Sequence, residues 1–275
     1  MTTKAAPIGI FDSGYGGLTV FREIVKQLPG YDYIYLGDNA RVPYGTRSFE
    51  TVYRYTLECV ERLFGMGCRL VILACNTASA KALRSIQQND LPNSKELRRV
   101  LGVIRPTAEI VGSYTRSGKV GILATPGTVS SGSYVIEIEK FFPTIEAFQE
   151  ACPMWVPLVE NNEFNSPGAD YFIQKNLNNL LGKCPGIDTV VLACTHYPLL
   201  ISKIRQFLPS HIQIVSQGKL VAQSLQDYLN RHAEIEALCS DGGTIRYFTT
   251  ESCGNFNDKA AIFLEYPVES EHIEI

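Results

Sequence analysis

The chain has 275 residues, of which 45% are hydrophobic and 19% charged, with a formal net charge of −3. That length suits two domains of ordinary size, and the slight acidity gives no reason to expect a nucleic acid or an anionic membrane as partner. Residues 1–19 contain Asp12 and several glycines where a signal peptide needs an unbroken apolar stretch. No apolar run approaches the ~20 residues of a membrane span, so a cytoplasmic protein is expected.

Short apolar runs at 7–11, 33–36, 69–74, 100–104, 119–124, 189–193 and 213–215 read as buried strands, rich in Val, Ile and Leu. Between them, 18–28, 49–65, 77–88, 107–114, 129–141, 170–181, 200–207 and 220–229 carry helical periodicity. The alternation predicts an α/β protein with parallel sheets flanked by helices. In such folds ligands sit beyond the carboxyl ends of strands, where the chain turns into the next helix.

Four of those turns carry chemistry. Phe11-Asp12-Ser13-Gly14-Tyr15-Gly16-Gly17 follows the first strand, and Ala74-Cys75-Asn76-Thr77-Ala78-Ser79 the third. In the second half, Ala124-Thr125-Pro126-Gly127-Thr128 and Ala193-Cys194-Thr195-His196-Tyr197-Pro198 occupy matching places. Asp12 to Cys75 spans 63 positions (75 − 12) and Thr125 to Cys194 spans 69 (194 − 125). This reads as an internal duplication: two pseudo-symmetric α/β domains, each giving one cysteine to a cleft between them. Residues 1–99 with 210–275 are expected to form the first domain and 100–209 the second. The tail from 231 is expected to complete the first, with 244–249 and 261–264 as late strands or loops.

The eight cysteines are spread through the chain with no Cys-x-x-Cys pair, which favours reduced thiols over disulfides or a zinc ribbon. Most should be small buried apolar residues. Cys75 and Cys194 differ, because a helix start would offer free N–H donors and favour the thiolate. Two matched thiols suit proton transfer: inverting a stereocentre beside a carboxylate needs a base on one face and an acid on the other. Asp12 and His196 stand ready to tune them, although Asp12 reads also as a helix N-cap and His196 as a satisfied core histidine. Cys194 and His196 are two potential metal ligands without two more at usable spacing, so no metal is expected. The glycine turn has neither the dinucleotide nor the P-loop pattern, and Arg41 is either a carboxylate anchor or a surface ion pair.

These motifs, together with Gly37-Asp38-Asn39-Ala40-Arg41-Val42-Pro43-Tyr44-Gly45, resemble those of bacterial glutamate racemases from about residue 7 to about 230. The resemblance implies interconversion of L- and D-glutamate without any cofactor, supplying D-glutamate for peptidoglycan, by an enzyme that often forms homodimers. It places the catalytic cysteines on Cys75 and Cys194. Substrate-binding pairs fall on Asp12 and Ser13, Tyr44 and Gly45, Asn76 and Thr77, and Thr195 and His196. An acidic residue after Pro157-Leu158-Val159 falls on Glu160, and a binding threonine on Thr128. By the same resemblance, Asp12, Glu160 and His196 assist catalysis. Two turns depart from the family's pattern: Ser216-Gln217-Gly218 replaces Asp-Ser-Gly, and Pro106-Thr107-Ala108 replaces Pro-Gly-Ala. No long N-terminal extension of the kind linked to activation by a cell-wall precursor is seen, so no such activation is expected. The rivals are an aspartate racemase using the same cysteine pair, a decarboxylase relative retaining a single cysteine, and a non-catalytic amino-acid binder, to which paired thiols would be of no use.

Overall fold

The structure, a computed structural model, describes residues 5–275; residues 1–4 of the first expected domain lie outside the described residues. Among the described residues ten strands form two sheets, and each named strand pairing is parallel. The strands are β1 (Ile8–Asp12), β2 (Tyr33–Gly37), β3 (Leu70–Leu73), β4 (Arg99–Gly102), β5 (Lys119–Ala124), β6 (Glu146–Ala151), β7 (Thr189–Ala193), β8 (Gln213–Val215), β9 (Ile245–Thr249) and β10 (Ser270–His272). The first sheet runs β10-β9-β2-β1-β3-β4 and the second β6-β5-β7-β8. Numbered within each half, four strands of both sheets follow the order second, first, third, fourth. The inferred duplication is thus present in the topology, and β9 and β10 extend one copy only.

The longer helices pack on the sheets through an apolar stripe. Helix α1 (Leu18–Gln27) buries Leu18, Phe21 and Ile24, at helical spacing. Helix α2 (Phe49–Gly65) is capped by Ser48, whose hydroxyl accepts from the Thr51 amide at 3.2 Å. After β3 comes α3 (Asn76–Lys81), where sequence periodicity predicts one helix to 88; a short segment at Leu83–Ser85 and a wider-wound one at Ile86–Asp90 follow instead. Next are α4 (Ile104–Ala108), α5 (Pro126–Ser131), α6 (Ser133–Phe141), α7 (Trp155–Glu160) and α8 (Pro167–Lys183). The last are α9 (Ile201–Phe207), α10 (Gly218–Arg231) and α11 (Cys253–Leu264). Residues 261–264, expected as strand or loop, are therefore helical. None of the eight cysteines is part of a disulfide, and all but Cys253 are buried.

Sheet pairing crosses both expected domain divisions. β4 runs across the one after residue 99, because Leu70–Leu73 pair with Arg99–Gly102. β8 lies beyond the one after 209, because Gln213–Val215 pair with Thr189–Val191 in the second sheet. Sheet membership changes after Gly102 and after Val215, and α10 returns to pack on α1. Backbone pairing of the edge strands β4 and β8, a long-range property that local patterning does not reveal, sets both points of change.

Candidate active site

Strand register places the first pair of groups. Phe11 lies opposite Leu73, so two residues further on Ser13 reaches the level of Cys75. The Ser13 hydroxyl and the Cys75 sulfur are 3.3 Å apart. In the second sheet Ala124 lies opposite Ala193, which sets Thr125 level with Cys194. Ser13 rather than Asp12 is therefore the positional counterpart of Thr125. Cys75 is the N-cap of α3, its sulfur accepting from the Ala78 amide at 3.4 Å. The expected helix start is present, yet burial pushes the Cys75 thiol up to about 12, with the Asp12 charge adding to the rise and Ser13 and Ala78 opposing it. At Cys75 desolvation therefore outweighs the cap.

Cys194 has different surroundings. The residues after it form a turn before a short 3-10 segment at Tyr197–Leu200, so this sulfur caps no helix. Its partner is His196 Nδ1 at 3.9 Å, and His196 Nε2 meets Glu160 Oε1 at 2.9 Å. Burial alone would lower the His196 pKa, but the hydrogen bonds to Cys194 and Glu160 prevail and raise it to about 10. Glu160 is held below the usual carboxylate range despite burial, chiefly by His196 and also by Lys259. His196 is thus an imidazolium between a sulfur and a carboxylate, not an idle core residue.

Asp12 does not cap a helix; Gly17 holds that position for α1, while Asp12 Oδ2 accepts from the Gly14 amide at 3.0 Å. Its Oδ1 is buried without a hydrogen-bond partner. Burial raises the Asp12 pKa, opposed first by the charge of His196. The fold is therefore favoured while this carboxyl is protonated, and that preference is lost as pH rises through the raised pKa. Asp12→Asn, which cannot ionise, should raise stability and Tm at pH 7 while lowering activity. Calorimetry at pH 7 and pH 3 tests this, since the gain should vanish at the lower pH.

The turns beyond the carboxyl ends of the two sheets meet here. Thr77 Oγ1 lies 2.9 Å from Thr125 Oγ1 and 3.5 Å from Thr128 Oγ1. Thr19 Oγ1 donates to the Thr195 carbonyl at 2.8 Å, and the Gly127 amide donates to the Gly45 carbonyl at 2.7 Å. Asn76 is buried at the same seam, its Nδ2 donating to Gln217 Oε1 at 2.6 Å. The Tyr44 hydroxyl donates to Asp38, so that side chain is engaged in the first domain's core. Arg41 is not a free carboxylate anchor: Nε donates to Asp38 at 2.7 Å, Nη1 pairs with Glu58 and Nη2 reaches Cys59 Sγ at 3.3 Å.

The structure thus gathers Asp12, Ser13, Asn76, Thr77, Thr128, Thr195, His196 and both cysteines in the turns beyond facing strand ends, with Glu160 reaching His196 from the end of α7. Sequence reasoning missed Thr125 as a member, though its strand-end position was the available signal. It also missed Lys259, which gave no local signal, and gave no role to Gln217. Among the described residues no group of three or more His, Cys, Asp or Glu is arranged to hold a metal.

Residues 8–225 match the family model of Asp/Glu/hydantoin racemases. The chain belongs to this family. Similar members of the racemase family include a glutamate racemase of Persephonella marina, 44% identical over 220 residues that cover 80% of this chain and 81% of the relative. One from Streptococcus gordonii is 39% identical with 98% of each chain covered. Among solved structures, glutamate racemase isoform RacE1 from Bacillus anthracis superimposes with a TM-score of 0.89 at 33% identity, covering 99% of this chain and 98% of that one. The Francisella tularensis glutamate racemase in complex with D-glutamate gives 0.84 at 29% identity, covering 98% and 97%.

Proposed function

We propose that the chain is a glutamate racemase in which Cys75 and Cys194 act as the two proton-transfer groups. The observation that carries this is positional: each cysteine ends the third strand of a sheet with the same strand order, and the two ends face each other. The Cys194 sulfur is near enough to raise the pKa of Cys75. A substrate Cα between them gives its proton to one sulfur as thiolate, and the thiol on the other side returns a proton to the opposite face. After one turnover the two sulfurs have exchanged protonation states, so the reverse reaction is already set up.

The neighbouring groups fit an amino acid. The unpartnered Oδ1 of Asp12 suits an ammonium, and the hydroxyls and amides of Ser13, Asn76, Thr77 and Thr195 suit carboxylates. Both ends of the substrate would be held by neutral donors and one buried carboxylate, an arrangement that limits the water near a Cα carbanion. The same reading puts the enzyme in the cytoplasm, as a homodimer, supplying D-glutamate for peptidoglycan; among the described residues no helix is long and apolar enough to cross a membrane.

Incubation with L-glutamate and, separately, L-aspartate, followed by circular dichroism without added pyridoxal phosphate, tests the assignment. The glutamate signal should decay to zero and the aspartate signal should persist. Decay of the aspartate signal alone would overturn the substrate.

A further inference from the structure

The two turns that depart from the family's pattern meet in one place. Gln217, from Ser216-Gln217-Gly218, lies directly before α10, and its Nε2 faces Thr107 Oγ1 at 3.2 Å, from Pro106-Thr107-Ala108 in α4. The same nitrogen faces the Val103 carbonyl at 3.0 Å and the Tyr134 hydroxyl at 2.5 Å. With two protons for three acceptors, one bond is shared. Gln217 Oε1 accepts from Asn76 Nδ2, and Tyr134 OH donates to Asn76 Oδ1 at 2.7 Å. Asn76, Tyr134 and Gln217 thus close a ring of three hydrogen bonds.

The ring occupies an unusual position. Val103 follows β4, where the chain leaves the first sheet, and Gln217 follows β8, where it leaves the second. Tyr134 belongs to α6 of the second domain, while Asn76 starts α3 of the first, immediately after Cys75. Both chain crossings are therefore tied, through one amide, to the first residue after Cys75. Exposure of Asn76, Thr107, Tyr134 and Gln217 is 2%, 1%, 0% and 3%, so water cannot replace a lost partner. Both polar atoms of the Asn76 amide are held, and its rotation would break two buried hydrogen bonds. A fully satisfied buried network of this kind fixes geometry more than it adds stability.

We propose that Gln217 is a positioning residue for the substrate, which acts by holding the Asn76 amide and the first turn of α3 against the cleft. This rests on the racemase reading of the site, with Asn76 as a substrate contact. The experiment is steady-state racemisation of both glutamate enantiomers by the full-length enzyme and its variants, with the melting temperature of each. Gln217→Met keeps the length and removes both polar atoms; Tyr134→Phe removes a single hydroxyl and perturbs folding least. Each should raise KM by about tenfold or more in both directions, a change worth roughly 1.4 kcal/mol, with kcat within about threefold of the parent. The double variant should be no worse than Gln217→Met alone, because both substitutions open the same ring. Unchanged KM in Tyr134→Phe, or a fall in melting temperature with KM unaltered in both variants, would show Gln217 to be only a fastener between domains and would overturn the proposal. Failure of the parent enzyme to racemise glutamate would instead remove the reading on which it rests.

Discussion

Replacing either Cys75 or Cys194 by serine should lower racemisation by about 10²–10⁴-fold, the range spanned by a positioned general acid or base. Serine preserves the shape of the site, so the expected loss isolates proton transfer from packing. An alcohol does not ionise near neutrality, whereas a thiol needs only a modest change of surroundings to do so. Glutamate affinity, measured by calorimetry, should stay within severalfold, because neither sulfur is needed to hold a carboxylate. Exchange in deuterated water adds a second readout. Each variant keeps one competent thiol on one face, so each should exchange the Cα proton of one enantiomer without inverting it, and the two variants should differ in which enantiomer that is. A single variant that racemised at near the parental rate would end the two-base mechanism.

Gly16→Ala should be nearly as damaging, although Gly16 bears no functional group. A Cβ at this position would lie 2.3 Å from His196 Nδ1 and 2.4 Å from Thr195 Oγ1. Neither neighbour can give way freely: Thr19 holds the Thr195 carbonyl and Glu160 holds the imidazole. The extra methyl group must therefore push the second domain's catalytic turn off the first domain's glycine turn. A displacement of about 1 Å in a reacting group can cost roughly 10²-fold in rate, and that is the loss expected in kcat/KM. Circular dichroism kinetics measures it, and a crystal structure of the variant should show Thr195 and His196 moved. Parental kinetics would mean that the cleft works in a more open arrangement than this one.

Much of this was legible in the sequence, for physical reasons. Strands such as Leu70–Leu73 and Thr189–Ala193 are buried on both faces, so they appear as unbroken apolar runs. The chemistry sits in the turns that immediately follow, which is why Cys75, Cys194, Ser13 and His196 could be named together. Two of the four edge strands were not legible. Glu146–Ala151 has one fully buried residue and three charged or amide side chains, and Ser270–His272 has no apolar residue; both are strands because a neighbour offers hydrogen bonds. Helix Cys253–Leu264 begins Cys-Gly-Asn, without a cap hydrogen bond, and its role emerges only in three dimensions, where Phe263 packs edge-on against the His196 ring at 5.6 Å between centroids. Lys259 on that helix reaches the site from more than sixty positions beyond Cys194 (259 − 194 = 65). Local periodicity carries no information on such a contact.

The unequal surroundings of the two sulfurs carry a kinetic constraint. Enantiomers have identical free energies in water, so the equilibrium constant between L- and D-glutamate is unity whatever the protein does. The ratio of kcat/KM in the two directions equals that constant and must also be unity. A helix-capping thiol beside a carboxylate on one side, and a sulfur beside an imidazolium on the other, cannot make the enzyme more efficient towards either hand. Their difference is free to appear only as compensating changes, with the enantiomer that binds more tightly turning over more slowly in the same proportion. The two copies of the duplicated unit could therefore diverge in sequence under no pressure to stay chemically alike, so long as each retained a sulfur able to take and return one proton.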